Sequence, residues 1–154
     1  VHEWPEAEDL ANIAERAAGV ARHLGLEPRV AFVSFSTFGY PVSERAEKMH
    51  LAPEVLDKRG VSFEYEGEMA VDVALNTHSM QAYPFSRLTG PANILVVPAR
   101  HSASISVKLM QEMAGATVIG PILAGVDESI QICSSVSTAT DILNMAVLAA
   151  CKVG

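Results

Sequence analysis

Apolar and polar positions follow two different periods along this chain. Ile94, Leu95, Val96 and Val97 form an unbroken apolar run between Gly90-Pro91 and Pro98. Such a run, apolar on both faces, predicts a central β-strand covered on both sides. Beyond it, Ile105, Leu109, Met110 and Met113 recur at helical spacing, with Ser102 or Ser104 as cap and Gly115 as a left-handed stop. Thr117-Val118-Ile119 predicts a second buried strand. Strand, helix and strand in succession make a right-handed βαβ unit.

The same reading extends outward. Residues 5–25 predict a helix, with Pro5 in the first turn and a stripe of Leu10, Ile13, Ala14, Ala17, Ala21 and Leu24. Residues 30–35 predict the first strand, and the turn at 36–41 then falls where parallel sheets gather ligands. A helix from Ser43 to about Arg59 contains Pro53, which predicts a kink or a split. Residues 61–65 alternate as an edge-like strand, and residues 68–75 predict a short helix. Residues 76–93 form a connection without periodicity, of a length that is often functional. Within it Arg87 reads either as an anion or partner contact or as an ion-paired surface residue. Residues 130–133 predict a last strand, and a helix beginning near Thr138 presents Ile142, Met145, Ala146, Ala149 and Ala150 on one face. Alternating strands and helices predict a three-layer α/β fold with a mainly parallel sheet.

Composition narrows the classes of function. A length of 154 residues predicts one domain spanning 1–154, and 49% hydrophobic residues suffice for a sizeable core. Eleven basic against 18 acidic residues give a formal charge of −7, which argues against nucleic acid and anionic membrane surfaces. No apolar run is long enough to span a membrane. The start, Val1-His2-Glu3-Trp4-Pro5, lacks the features of a signal peptide, and its lack of Met points to a piece of a longer protein. Cys133 and Cys151 stand far apart and are expected to be reduced, small and buried in a cytoplasmic protein.

The richest candidate for chemistry is Ser134-Ser135-Val136-Ser137-Thr138-Ala139-Thr140-Asp141, where five of eight residues carry hydroxyls between a strand and a helix start. Free backbone N–H groups there attract an anion or a carbonyl oxygen. Asp141 is a candidate general base if it faces a cleft. Thr138 and Asp141 also match the spacing of a capping box, so cap and ligand roles both stay open. The glycines at 115, 120 and 125 fit neither a P-loop nor a dinucleotide fingerprint. The five histidines show no metal-ligand spacing. His101 follows a strand end, beside Pro98, where ligands collect.

Two segments carry a family resemblance: Phe85-Ser86-Arg87-Leu88-Thr89-Gly90-Pro91-Ala92-Asn93 through Pro98, and Gly115-Ala116-Thr117-Val118-Ile119-Gly120-Pro121-Ile122-Leu123-Ala124-Gly125. Both resemble the phosphate acetyltransferase/butyryltransferase family. Ser36-Thr37-Phe38-Gly39 and Gly67-Glu68-Met69 with Asp72, Ala74, Leu75 and Asn76 look like the C-terminal acetyltransferase-like domain of bacterial NADP-dependent malic enzymes. The resemblance implies an isocitrate dehydrogenase-like fold, with half of an acetyltransferase unit present. It implies dimer contacts, or a higher homo-oligomer, through this half.

In active members of that family, the last strand-to-helix turn carries Ser-Arg, then an Asp that deprotonates the thiol of coenzyme A. Ser134 and Asp141 match the Ser and the Asp, while Ser135 stands in place of the Arg. A charged, bidentate phosphate contact is thus replaced by a neutral hydroxyl. The resemblance therefore implies a vestigial Asp141 and a ligand set of Ser134, Ser135, Thr138, Asp141, Pro98 and His101. The function it implies is sensing of acetyl-coenzyme A to regulate an attached malic enzyme, whose own domain uses NADP and a divalent metal. The alternative is an active phosphate acetyltransferase moving acetyl between coenzyme A and phosphate.

Overall fold

The computed structural model describes residues 3–126 and 128–151, apart from the side chain of Arg45. Its elements are α1 (Ala7–His23), β1 (Arg29–Val33), α2 (Glu44–Arg59), β2 (Glu64–Met69), α3 (Val71–Leu75), α4 (Thr77–Met80), β3 (Ile94–Val96), α5 (Arg100–Ala114) and α6 (Ala139–Ala150). The three strands form one parallel sheet in the order β2-β1-β3.

The sheet is organised around β1. Val30 and Phe32 pack with Leu10, Met49 and Leu56 beneath α1 and α2, while Ala31 and Val33 pack with Met69, Val73 and Leu88 on the opposite face. Alternation along one strand therefore fills two cores, giving the three layers expected of an α/β fold. Burying each large side chain of this kind contributes about 1.5–3 kcal/mol. Asn93 locks the register of β1 against β3. Its Oδ1 accepts from the Arg29 N–H at 2.8 Å, and its Nδ2 donates to the Glu27 carbonyl at 2.8 Å.

The α1 stripe is narrower than its sequence spacing predicts. Leu10, Ala11, Ala14, Ala18 and Ala21 are buried, whereas Ile13 and Leu24 are exposed. Small side chains let α1 approach its neighbours closely. Of the expected kink or split at Pro53, the split does not occur: α2 runs through it as one helix. Pro53 is buried beside Ala52.

Several expected elements differ. Ile94 to Val97 does not form the centre of the sheet: β3 is an edge, and Leu95 is 37% exposed. Among the described residues, 117–119 and 130–133 form no strand. An apolar run records that a surface is to be covered, not which segment covers it. Strand β2 lies later than residues 61–65 and absorbs the start of the expected 68–75 helix. Within β2, Glu66 and Glu68 are buried, each with hydrogen-bond partners. Helix α5 begins before Ser102 and Ser104, with Ala99 at its N-cap, and ends at left-handed Gly115. Its stripe of Ile105, Leu109, Met110 and Met113 is exposed. On α6 only Met145 is buried, and Cys133 and Cys151 are exposed rather than buried. Their burial was inferred from residue type, which says nothing about how the loop holding Cys133 or the end of α6 at Cys151 packs.

The bulge in β2 has an identifiable cause. Phe32 pairs with Gly67 and Val33 with Met69, so Glu68 is the extra residue. The peptides Tyr40–Pro41, Gly67–Glu68 and Gly120–Pro121 are cis. Gly67 has φ +150°, and a Cβ there would lie 2.7 Å from the Phe32 carbonyl oxygen. Only glycine lets the two backbones approach so closely.

Candidate functional site

The carboxyl ends of β1 and β3 open onto a cavity of about 740 Å³. This is where parallel sheets place ligands. Val33, Phe35, Val97 and Pro98 come from the strand ends, Leu10 from α1, and Lys48 and Met49 from α2. Its α5 wall consists of Ala99, His101, Ser102 and Ser106. Trp4 meets His101 edge to face, with ring centroids 5.9 Å apart. The Lys48 ammonium, the cation of this wall, is held by Glu6 at 2.5 Å. The cavity is therefore largely apolar, with hydroxyls along one side.

A second cavity, about 830 Å³, lies along another face of α5. Arg100, Ser104 and Lys108, at successive helical turns, share it with Ser134, Ser137 and Asp141. Asn144 and Met145 of α6 and the exposed thiol of Cys133 also reach it. Two cations thus face the hydroxyl-rich turn, a combination that suits a ligand with negative charge.

Thr138 and Asp141 form the capping box that their spacing allows. The Thr138 hydroxyl accepts from the Asp141 N–H at 3.2 Å, and Asp141 Oδ2 accepts from the Thr138 N–H at 2.8 Å. The Thr138 N–H, followed by its hydroxyl, holds the Asp141 carboxyl below the usual carboxylate range, with burial opposing weakly. A depressed carboxyl is a weak base, so the cap role fits better than proton abstraction.

Of the expected site residues, Ser134 and Asp141 line the second cavity, while Pro98 and His101 line the first. Ser135 and Thr138 lie in the lining of neither. Sequence reasoning missed Arg100 and Lys108, although their spacing of eight along a helix after a strand end was a usable signal. It also missed Trp4, Ser34 and Lys48, which reach the first cavity from three separate segments.

Two buried acids support the sheet end. Glu68 Oε1 accepts from Ser36 Oγ at 3.0 Å and from the Gly39 N–H at 2.7 Å, and Oε2 pairs with His50 Nδ1 at 2.8 Å. Glu68 thereby anchors the 36–40 turn that follows Phe35. Glu66 binds the guanidinium of Arg87, which also reaches Asp57 at 2.6 Å and lies 4.6 Å over the Tyr65 ring. Burial works to lower the Arg87 pKa, but the hydrogen bond and charge of Glu66, with Asp57, outweigh it and raise it. Burial and then the Asp57 hydrogen bond push the Tyr65 phenol up to about 12. Arg87 is thus an ion-paired structural residue that fastens the 84–89 segment to β2. Among the described residues, no three of His, Cys, Asp and Glu converge as a metal site. His2 lies outside the described residues.

The family described as phosphate acetyl/butaryl transferase matches residues 1–150. The chain belongs to this family. It is 55% identical to the NADP-dependent malic enzyme of Rhizobium meliloti, over all of this chain but 20% of that protein. It is 32% identical to the phosphate acetyltransferase of Bacillus subtilis, over 96% of this chain and 46% of that protein. A phosphotransacetylase structure from Streptococcus pyogenes superposes with a TM-score of 0.91 at 30% identity, covering 99% of this chain and 47% of that one. The chain thus spans about a fifth of the malic enzyme and just under half of the acetyltransferases. The α/β fold is that of half an acetyltransferase unit, as the resemblance implied. No helix among the described residues is long and apolar enough to cross a membrane.

Proposed function

We propose that this chain is a regulatory module of an NADP-dependent malic enzyme, acting in the cytoplasm as one domain of that protein. In this reading it binds acetyl-coenzyme A or a related acyl thioester and takes part in a homodimer or larger homo-oligomer. NADP, the divalent metal and malate belong to the rest of the enzyme. The observation that carries the reading is the second cavity, where Arg100 and Lys108 share a wall with the Ser134–Asp141 turn. Ser135 stands where active family members are expected to carry Arg. The two α5 cations offer charge to a phosphate from the helix instead. Asp141, committed to its cap, orients the turn and takes no proton, so the ligand is bound and not turned over.

Exposed Ile105, Leu109 and Met113 on α5, and exposed Ile142, Leu143 and Val147 on α6, support assembly, since they leave much apolar surface without cover. Light scattering at tens of micromolar tests this, and a monodisperse monomer would count against it.

Isothermal titration with acetyl-coenzyme A tests the binding. Lys108→Glu should weaken it by about 10–100-fold, the worth of one hydrogen bond to a charged group. In the whole enzyme the same change should blunt the response to acetyl-coenzyme A and leave basal malate oxidation intact. Absence of binding at millimolar ligand would overturn the reading.

A further inference from the structure

We propose that residues 3–6 form an autoinhibitory strap across the mouth of the first cavity, latched to α5 by the contact of Trp4 with His101, and that a molecule enters the cavity only when this latch opens. The strap is independent of the coenzyme A reading and stands whether or not that ligand binds.

The strap has a fixed root and a lightly held tip. At the root, Pro5 is buried and lines the cavity. The Glu6 N–H donates to Asp9 Oδ2 at 3.0 Å, and the Glu6 carboxylate meets the Lys48 ammonium of α2 at 2.5 Å. Helix α1 begins at Ala7 and does not run back through this segment, because proline disfavours helical backbone at the residue before it. Trp4 therefore departs from the α1 axis and reaches α5, where its ring meets that of His101 edge to face with centroids 5.9 Å apart. Both rings line the cavity, yet both are exposed on their outer sides, Trp4 by 71%. The contact that joins the strap to α5 is thus a single edge-to-face pair at the surface, of a kind worth a factor of about 2–10 in an equilibrium. Such a latch closes the mouth and opens readily.

The position of the strap gives it an effect. Leu10 and Met49 wall the cavity from α1 and α2, with Glu44 and Lys48 also on the α2 side, while Ser102 and Ser106 wall it from α5. A bridge from Pro5 to His101 spans the opening between these walls. Beneath it, Val33, Met49 and Val97 surround a space of about 740 Å³. An indole at the mouth shields this apolar lining from water, and an apolar guest would do the same. Strap and guest draw on one driving force, so they compete.

The test follows labelling of Ser34→Cys by N-ethylmaleimide. Ser34 is half-buried in the cavity lining. Peptide mapping separates label at position 34 from label at the exposed Cys133 and Cys151. In this background Trp4→Ala and His101→Ala should each speed labelling at position 34 by about 2–10-fold, the worth of one edge-to-face pair. The two together should add little to either alone, since both remove the same latch. Trp4→Phe keeps a ring and should label more slowly than Trp4→Ala. Ile105→Ala, on α5 but outside the lining of both cavities, should label at the parent rate. Trp4 is the single tryptophan of the chain, so its fluorescence anisotropy decay reads the latch directly, and His101→Ala should add a fast component. Melting curves check folding, and His101 is exposed, so its variant carries the test if Trp4→Ala does not fold. Equal labelling with and without Trp4 would overturn the strap. A His101→Ala rate equal to the parent's, or an unchanged anisotropy decay, would overturn the latch and the proposal with it.

Discussion

Replacing Gly67 by alanine should be among the most damaging single-methyl additions to this fold. An added Cβ would lie 2.7 Å from the Phe32 carbonyl oxygen, 2.8 Å from its Cβ and 3.2 Å from its Cα. Contacts below 3.0 Å force movement, and here the neighbours belong to the central strand. Phe32 is fully buried between α1 and α2, so it has nowhere to retreat. The backbone at φ +150° adds about 1–3 kcal/mol for any residue with a side chain. Overpacking adds about 1–3 kcal/mol more. Gly60 provides the control. It also has positive φ, +63°, but an added Cβ there meets nothing within 4 Å. Gly60→Ala should therefore cost only the left-handed backbone penalty, about 1–2 kcal/mol. Urea unfolding followed by circular dichroism measures both. Each kcal/mol corresponds to about 2–4 °C of melting temperature at this size. Gly67→Ala should unfold well before Gly60→Ala, or fail to accumulate in soluble form. Equal midpoints for the two variants would refute the close-approach argument.

Further expectations follow from the polar networks. Arg87→Met strips the buried Glu66 carboxylate of its cation and should cost about 1–3 kcal/mol in urea unfolding, and an unchanged midpoint would refute this. The Tyr65 phenol, pushed up to about 12, keeps its proton longer in the folded than in the unfolded chain. Its contribution is therefore complete below about pH 10 and is lost between about 10 and 12, which melting curves across that range will detect. Asp57→Asn removes the anion that helps hold that proton, so phenolate absorbance should appear at lower pH. Thr138→Ala deletes one of the two hydrogen bonds that depress Asp141, so the carboxyl should titrate closer to its ordinary value by NMR. No change would mean that the Thr138 N–H alone sets it.

Much of this molecule is written locally in the chain. The spans of α1, β1 and α2 follow from spacing and flanking glycines, because helical and strand periods act over a few residues. The Thr138–Asp141 cap was legible for the same reason, since a capping box closes within one turn. The family was legible in contiguous motifs. What only the tertiary structure decided is which surfaces meet. Residues 94–97 look central by composition, yet the pairing of β1 with both β2 and β3 leaves them at an edge. Nothing local marks Glu66 and Glu68 as buried, and their burial depends on Arg87, Ser36, Gly39 and His50 arriving from elsewhere in the chain. The division of α5 between a charged and an apolar cavity was equally hidden. Its walls come from segments as far apart as Trp4 and Asn144, and no local period records a contact across that distance.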